Sequence, residues 1–142
     1  MSDAESGYEH FDVEADVGVH GWGPTRADAF AQAALGALAL AVHPEGVASG
    51  ETRDVRAQGD ALETLLVNLV NECLYVHEIE GFAVAHVEVQ FDGEDVAHAR
   101  LHGEPIDPAR HRLGTVVKAA TLHRVSVDET AGRHETRLIV DV

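Results

Sequence analysis

Two aspartates set in β-prone runs are the residues whose chemistry stands out. Asp16 lies in EADVGV and Asp141 in LIVDV, where a strand ordinarily carries Val or Ile. A carboxylate there is costly to bury unless it is paired, hydrogen-bonded or bound to a cation. Asp141 stands beside Val142, whose carboxylate adds an oxygen donor close by. Hard oxygens of this kind are what calcium or magnesium prefers, so the two ends of the sequence are expected to meet around a divalent ion. If they do not meet, Asp16 belongs to a turn and Asp141 to a solvated terminus.

Other chemistry is sparse. Lys118, in GTVVKAATLH, is the lone lysine among 10 Lys+Arg, a compact ammonium where every other cation is a guanidinium. The 10 histidines form no His-Glu-x-x-His or His-x-x-Glu-His arrangement, and they are expected on the surface. Cys73 is the single cysteine, which excludes an internal disulfide framework and a Cys-based zinc knuckle. No Gly-x-Ser-x-Gly elbow, Walker loop or dinucleotide fingerprint occurs, so a stand-alone enzyme is poorly supported.

The elements that must position these residues follow from periodicity. Strands are expected over Tyr8–Val13 and Val17–Trp22, as an edge hairpin turning at Glu14–Asp16. A helix begins at the N-cap Thr25 with Asp28 as capping-box partner, and ends before Pro44. After a weak strand over Thr52–Ala57, Asp60 and Glu63 suggest the cap of a second helix. Its apolar stripe runs from Leu62 through Leu65, Leu66, Leu69, Val70, Cys73 and Leu74 to a stop at Gly81. Phe82–Phe91 and Val96–His102 read as strands joined by the DGED turn. Gly103–Gly114 reads as a loop, and two last strands span Val116–Val127 and Thr136–Val142. These elements imply an α+β fold, a compact two-layer sandwich of one β-rich mixed sheet with two helices packed on one face. One domain over 1–142 is expected, with residues 1–7 a flexible N-terminus.

Charge excludes more. With 25 Asp+Glu against 10 Lys+Arg, the net charge is −15, dispersed along the sequence as in proteins of high-salt cytoplasms. Phosphate backbones are bound through Lys and Arg, so direct nucleic-acid binding is not expected. No run is apolar enough to span a bilayer, and a cytoplasmic protein without membrane contact is expected.

The segments YEHFDVEADVGVHGWG, DALETLLVNLVNECLYVHEIEGF, GEPIDPARH, VKAATLH and the terminal IVDV together make this chain resemble an archease. They occur in family order and cover nearly the whole sequence. The resemblance implies a compact α/β sandwich and a non-catalytic, chaperone-like protein cofactor. That cofactor would activate the tRNA-splicing RNA ligase by promoting its guanylylation, so allowing multiple turnover, and would broaden its nucleotide use. It also implies a divalent metal, calcium before magnesium, at Asp16 of the Ala-Asp-x-Gly motif and at Asp141 with Val142. Lys118 matches the lysine of the family's Val-Lys-Ala segment, which implies a role at the ligase interface. Where the family has His-Thr before Ala-Asp, this chain has Val13 and Glu14, and Glu14 offers the metal shell a further carboxylate. A divalent-metal-dependent hydrolase using the Asp16/Asp141 pair and a general chaperone with an exposed apolar face are the alternatives.

Overall fold

The computed structural model describes residues 5–142. The elements are β1 (Gly7–Val13), β2 (Asp16–Gly23), α1 (Arg26–Ala39), β3 (Glu51–Gln58), α2 (Leu62–Glu80), β4 (Phe82–Phe91), β5 (Val96–Pro105), β6 (Ala119–Thr130) and β7 (Arg133–Asp141). The α+β class is as expected from the sequence. The strands, however, form two sheets in place of one mixed sheet, ordered β1-β2-β7-β6 and β3-β5-β4, and every pairing is antiparallel. Nor do the helices share one face of a single sheet. Helix α1 packs on β1, β2 and β7 of the first sheet and on β4 of the second, while α2 packs on β6 and on β3, β4 and β5.

Side-chain size explains how α1 serves both sheets. Its buried residues, Ala29, Phe30, Ala31, Ala33, Ala34, Gly36, Ala37 and Leu38, cover more than half of the helix's circumference, the pattern of a helix covered on more than one side. Toward β2 the contact is backbone-close: a Cβ on Gly21 would stand 2.6 Å from the Ala33 nitrogen, and one on Gly36 would stand 2.7 Å from Val19 Cγ1. Toward β4, Phe30 meets Phe91 edge to face with centroids 5.1 Å apart. The Thr25 cap is present, its hydroxyl oxygen accepting from Asp28 N–H at 3.1 Å.

Helix α2 joins the sheets through two asparagines set in its apolar stripe. Asn71 donates to Ala120 O at 3.2 Å and accepts from Ala120 N–H at 2.7 Å, so it pairs with the free edge of β6. Asn68 donates to Gln58 O at 2.7 Å, on the edge strand β3. An unpaired sheet edge invites association, and α2 covers both of these. The expected Asp60 cap is not formed: the N-cap is Ala61, which makes no side-chain bond. Gly59 N–H is tied to Asp95 O at 3.0 Å, and the helix starts one residue later than the capping pattern suggested. A cap is worth about 1 kcal/mol, against about 2 kcal/mol for each fully buried Leu. Leu65, Leu66 and Leu69 are all at 0% exposure and outweigh it.

Several details differ from expectation, among them a last hairpin that is longer than expected, β6 running on to Thr130 and β7 starting at Arg133. Strand β5 continues through Gly103–Pro105, so the anticipated loop starts later. A register shift between Val84 and His86 breaks the alternation of β4, and Val84 and Val87 are both buried. Strand β6 begins at Ala119 and leaves Val116–Lys118 outside the ladder. Of the stretch expected to be flexible, residues 1–4 lie outside the described residues, whereas Gly7 already pairs with Trp22 in β1.

Candidate functional site

The two ends of the sequence meet in the first sheet. Strands β2 and β7 pair from Val17↔Val140 to Gly23↔His134, so Asp16 and Asp141 stand one step further along the same register, side by side. Residues directly opposite in an antiparallel pair share a face. Val140 is fully buried among the core side chains, and alternation therefore turns Asp16 and Asp141 to the outer face, where both are half-buried. On the other side of β7, Ala119 pairs with Asp141 and the Lys118 N–H donates to Asp141 O at 2.8 Å. Lys118 itself is exposed, and its ammonium enters no ion pair among the described residues.

Glu14 sits in the loop closing the β1–β2 hairpin, where Val13 pairs with Asp16. Its backbone is left-handed, φ 48°, a conformation that costs a non-glycine residue about 1 kcal/mol. Its side chain is exposed. Two strand carboxylates with a third in the adjoining turn are the hard-oxygen chemistry that calcium takes. They do not make a closed cage: among the described residues no group of three or more His, Cys, Asp or Glu side chains converges as metal ligands. Such a donor set suits only an open site, in which water or further oxygens would have to complete the shell.

Not all the histidines lie on the surface as expected: His20 and His111 are each only 5% exposed. His20 lies between carboxylates, with Nδ1 2.9 Å from Glu9 and Nε2 2.8 Å from Glu135. The His20 hydrogen bond holds the Glu9 carboxyl below its ordinary range. His111 accepts from Asp107 N–H at Nδ1, 2.9 Å, which leaves Nε2 to donate to Glu104 at 2.9 Å. Glu104 also accepts from Arg110 at 2.6 Å and from Ala48 N–H at 2.7 Å. Its carboxyl is lowered to about 2, first by Arg110, then by the Ala48 amide and by His111. These groups are mutually satisfied and clasp the loop after β5. The lone Cys73 is buried in the core, where desolvation pushes its thiol up to about 12, far from a reactive thiolate. On the outer face of the second sheet, Arg100 is bound to Asp54 at 2.8 Å and His102 to Glu88, so the charges there are also spent on one another.

At the Asp16–Asp141 end, by contrast, Asp16, Asp141, Glu14 and Lys118 enter no ion pair among the described residues. The fold and this end define a small α+β protein, two helices bridging two antiparallel sheets, with an open acidic sheet end. The archease protein family model matches residues 8–142, and the chain belongs to that family. It is 32% identical over 139 residues to the archease of Pyrococcus abyssi, covering 95% of this chain and 98% of that one. It is 32% identical over 143 residues to the archease-like protein of Drosophila melanogaster, covering 97% and 92%. The solution structure of Methanobacterium thermoautotrophicum protein 1598 superposes with a TM-score of 0.77 at 26% identity, over 96% of this chain and 99% of the other. A Thermotoga maritima structure described as an archease, possible chaperone, shares the fold with a TM-score of 0.59 at 16% identity, over 94% and 96%. No helix is long and apolar enough to cross a membrane among the described residues.

Proposed function

We propose that this archease is a non-catalytic protein cofactor of the tRNA-splicing RNA ligase. It promotes guanylylation of the ligase, allows multiple turnover and broadens nucleotide use. The observation that carries the reading is the Asp16–Asp141 pair at the open end of the first sheet, beside the exposed, unpaired Lys118. The ligase does the chemistry, and this chain supplies charged groups presented on, and just beside, paired strands. A divalent ion, calcium before others, would be held by Asp16, Asp141 and the Val142 carboxylate and would supply positive charge at that end. Lys118 contributes an ammonium at the same end, free to meet an anionic group of the nucleotide or of the ligase. Activation then requires that this end bind the guanylylation-ready state of the ligase better than its resting state. The net charge of −15 supports a protein partner over RNA itself.

The test is single-turnover guanylylation of the ligase with GTP and divalent metal at high salt, with and without this protein. Faster appearance of ligase–GMP, lost with Asp16→Ala or Asp141→Ala and reduced with Lys118→Ala, is the expected result. Wild-type rates from all three folded variants would remove the reading.

A further inference from the structure

The surface next to that end is apolar. Among the described residues, the large hydrophobic side chains left exposed are Tyr75, Ile79, Leu113, Val116 and Leu122, from 51% for Leu113 to 75% for Val116. Scattered exposed hydrophobics need no explanation, but these fall on two segments only, the second half of α2 and the stretch 113–122. The Asn71–Ala120 hydrogen bonds hold those segments together. Leu113 and Val116 line a groove of about 360 Å³ that Glu78 also borders. Tyr75 and Ile79, four residues apart, share one face of α2 on either side of Glu78. Lys118 follows Val116 by two residues and is bonded through its amide to Asp141, so the apolar surface runs up to the candidate site.

Charge selects what covers it. A second copy of this chain would bring another net charge of −15 against the first, and that repulsion opposes self-association. Glu72 and Glu78 are exposed along the same half of α2 and form an acidic rim, whereas Glu80 is held by Arg53 at 2.7 Å. The complementary occupant has an apolar element with Lys or Arg around it. An enzyme that joins RNA ends must carry cationic surface for the phosphate backbone.

We propose that Tyr75, Ile79, Leu113 and Val116 are the docking surface for the RNA ligase, seating an apolar element of it while the α2 glutamates meet its basic flanks. The inference rests on the function proposed above. Docking there brings Lys118 and Asp141 against the ligase without requiring the charged end to supply the affinity. Buried apolar anchors carry most of the energy of an interface, and rim charges mainly set the association rate.

The experiment measures binding of the purified ligase to the wild-type protein, to Ile79→Ser/Val116→Ser and to Glu72→Lys/Glu78→Lys, alongside ligase guanylylation. Both side chains of the first pair are exposed, so the fold is retained, and circular dichroism and thermal melting verify it. Expected are a rise in Kd of about tenfold or more for the serine variant and slower association for the lysine variant, with weaker salt dependence. Wild-type affinity in the serine variant, with stimulation of guanylylation intact, overturns the docking surface and leaves the function standing. Binding that the serine variant loses, but with no stimulation by the wild type, supports the surface and overturns the activator reading. Absence of any complex with the wild type overturns both. A wild-type dimer that Val116→Ser dissociates would assign the surface to a second copy and overturn the proposal.

Discussion

The amide of Lys118 donates to the carbonyl oxygen of Asp141 at 2.8 Å, which fixes the only lysine to the strand that carries one of the paired aspartates. Since this tie is made by backbone, substitution of either side chain leaves it in place. The charge at this end can therefore be altered without moving the strands.

The pair Asp16–Asp141 gives the first prediction. Like charges directly opposite on neighbouring strands destabilise a sheet, by about 0.2–1 kcal/mol. Asp141→Asn should therefore raise the melting temperature without calcium by a few degrees at most. It should also remove the rise that calcium, bound as proposed, is expected to cause in the wild type, where saturation at about 100 times Kd is worth roughly 2.7 kcal/mol. Scanning fluorimetry at constant ionic strength reads both. An equal calcium shift in the variant would put the ion elsewhere on the acidic surface.

Gly21 gives a second. A Cβ there would meet the Ala33 nitrogen at 2.6 Å and Ala29 O at 3.0 Å, and backbone yields little. Overpacking of this kind costs about 1–3 kcal/mol, so Gly21→Ala should lower the unfolding free energy by that amount, read as a lower urea midpoint with an unchanged slope. The wild-type midpoint in the variant would mean that α1 can move away from β2 freely.

How much of this was legible in the sequence depended on the range of each interaction. The hairpin at Glu14, the Thr25 cap and the Leu65–Leu74 stripe are local patterns, and the structure bears them out. The meeting of Asp16 with Asp141 was legible because a carboxylate in an apolar strand asks for a partner. The division into two sheets was not, since it is fixed by pairings such as Val17↔Val140 that no local pattern encodes. His20 looked like a surface histidine because one of its partners, Glu135, is 115 positions away. His111 was hidden differently: its partner Glu104 is near in sequence, but within a stretch read as open loop. Asn68 and Asn71, three apart inside a leucine stripe, were the overlooked signal for a helix that serves two sheet edges.

Glu104 sets an acid limit on the loop it clasps. Its folded carboxyl lies at about 2, below its ordinary 4.5, so its stabilising contribution is complete above pH 4.5 and is lost as pH falls toward 2. Glu104→Gln should weaken the protein at neutral pH and flatten the decline of stability between about pH 4.5 and 2. Equilibrium unfolding of the two proteins across that window measures this. Parallel curves would show that Arg110, Ala48 and His111 do not depend on the charge of Glu104.

Asn71 carries the last prediction because its one side chain bonds both backbone groups of Ala120 on the outer edge of β6. Asn71→Ala leaves a donor and an acceptor unpaired at a half-buried place, each costing about 1–3 kcal/mol where water does not replace the partner. A net loss of roughly 2–3 kcal/mol is expected, a large share of the stability of a domain this size. The Ala120 amide should exchange with solvent faster than those of β7, because the opening is local to the edge. The bared edge should also make association concentration-dependent, as an uncovered strand recruits another. Protection of Ala120 equal to the wild type would mean that helix packing, and not this side chain, closes the sheet. The alternative substitution Asn71→Asp separates the two groups, since a carboxylate can still accept from the Ala120 N–H but cannot donate to its carbonyl.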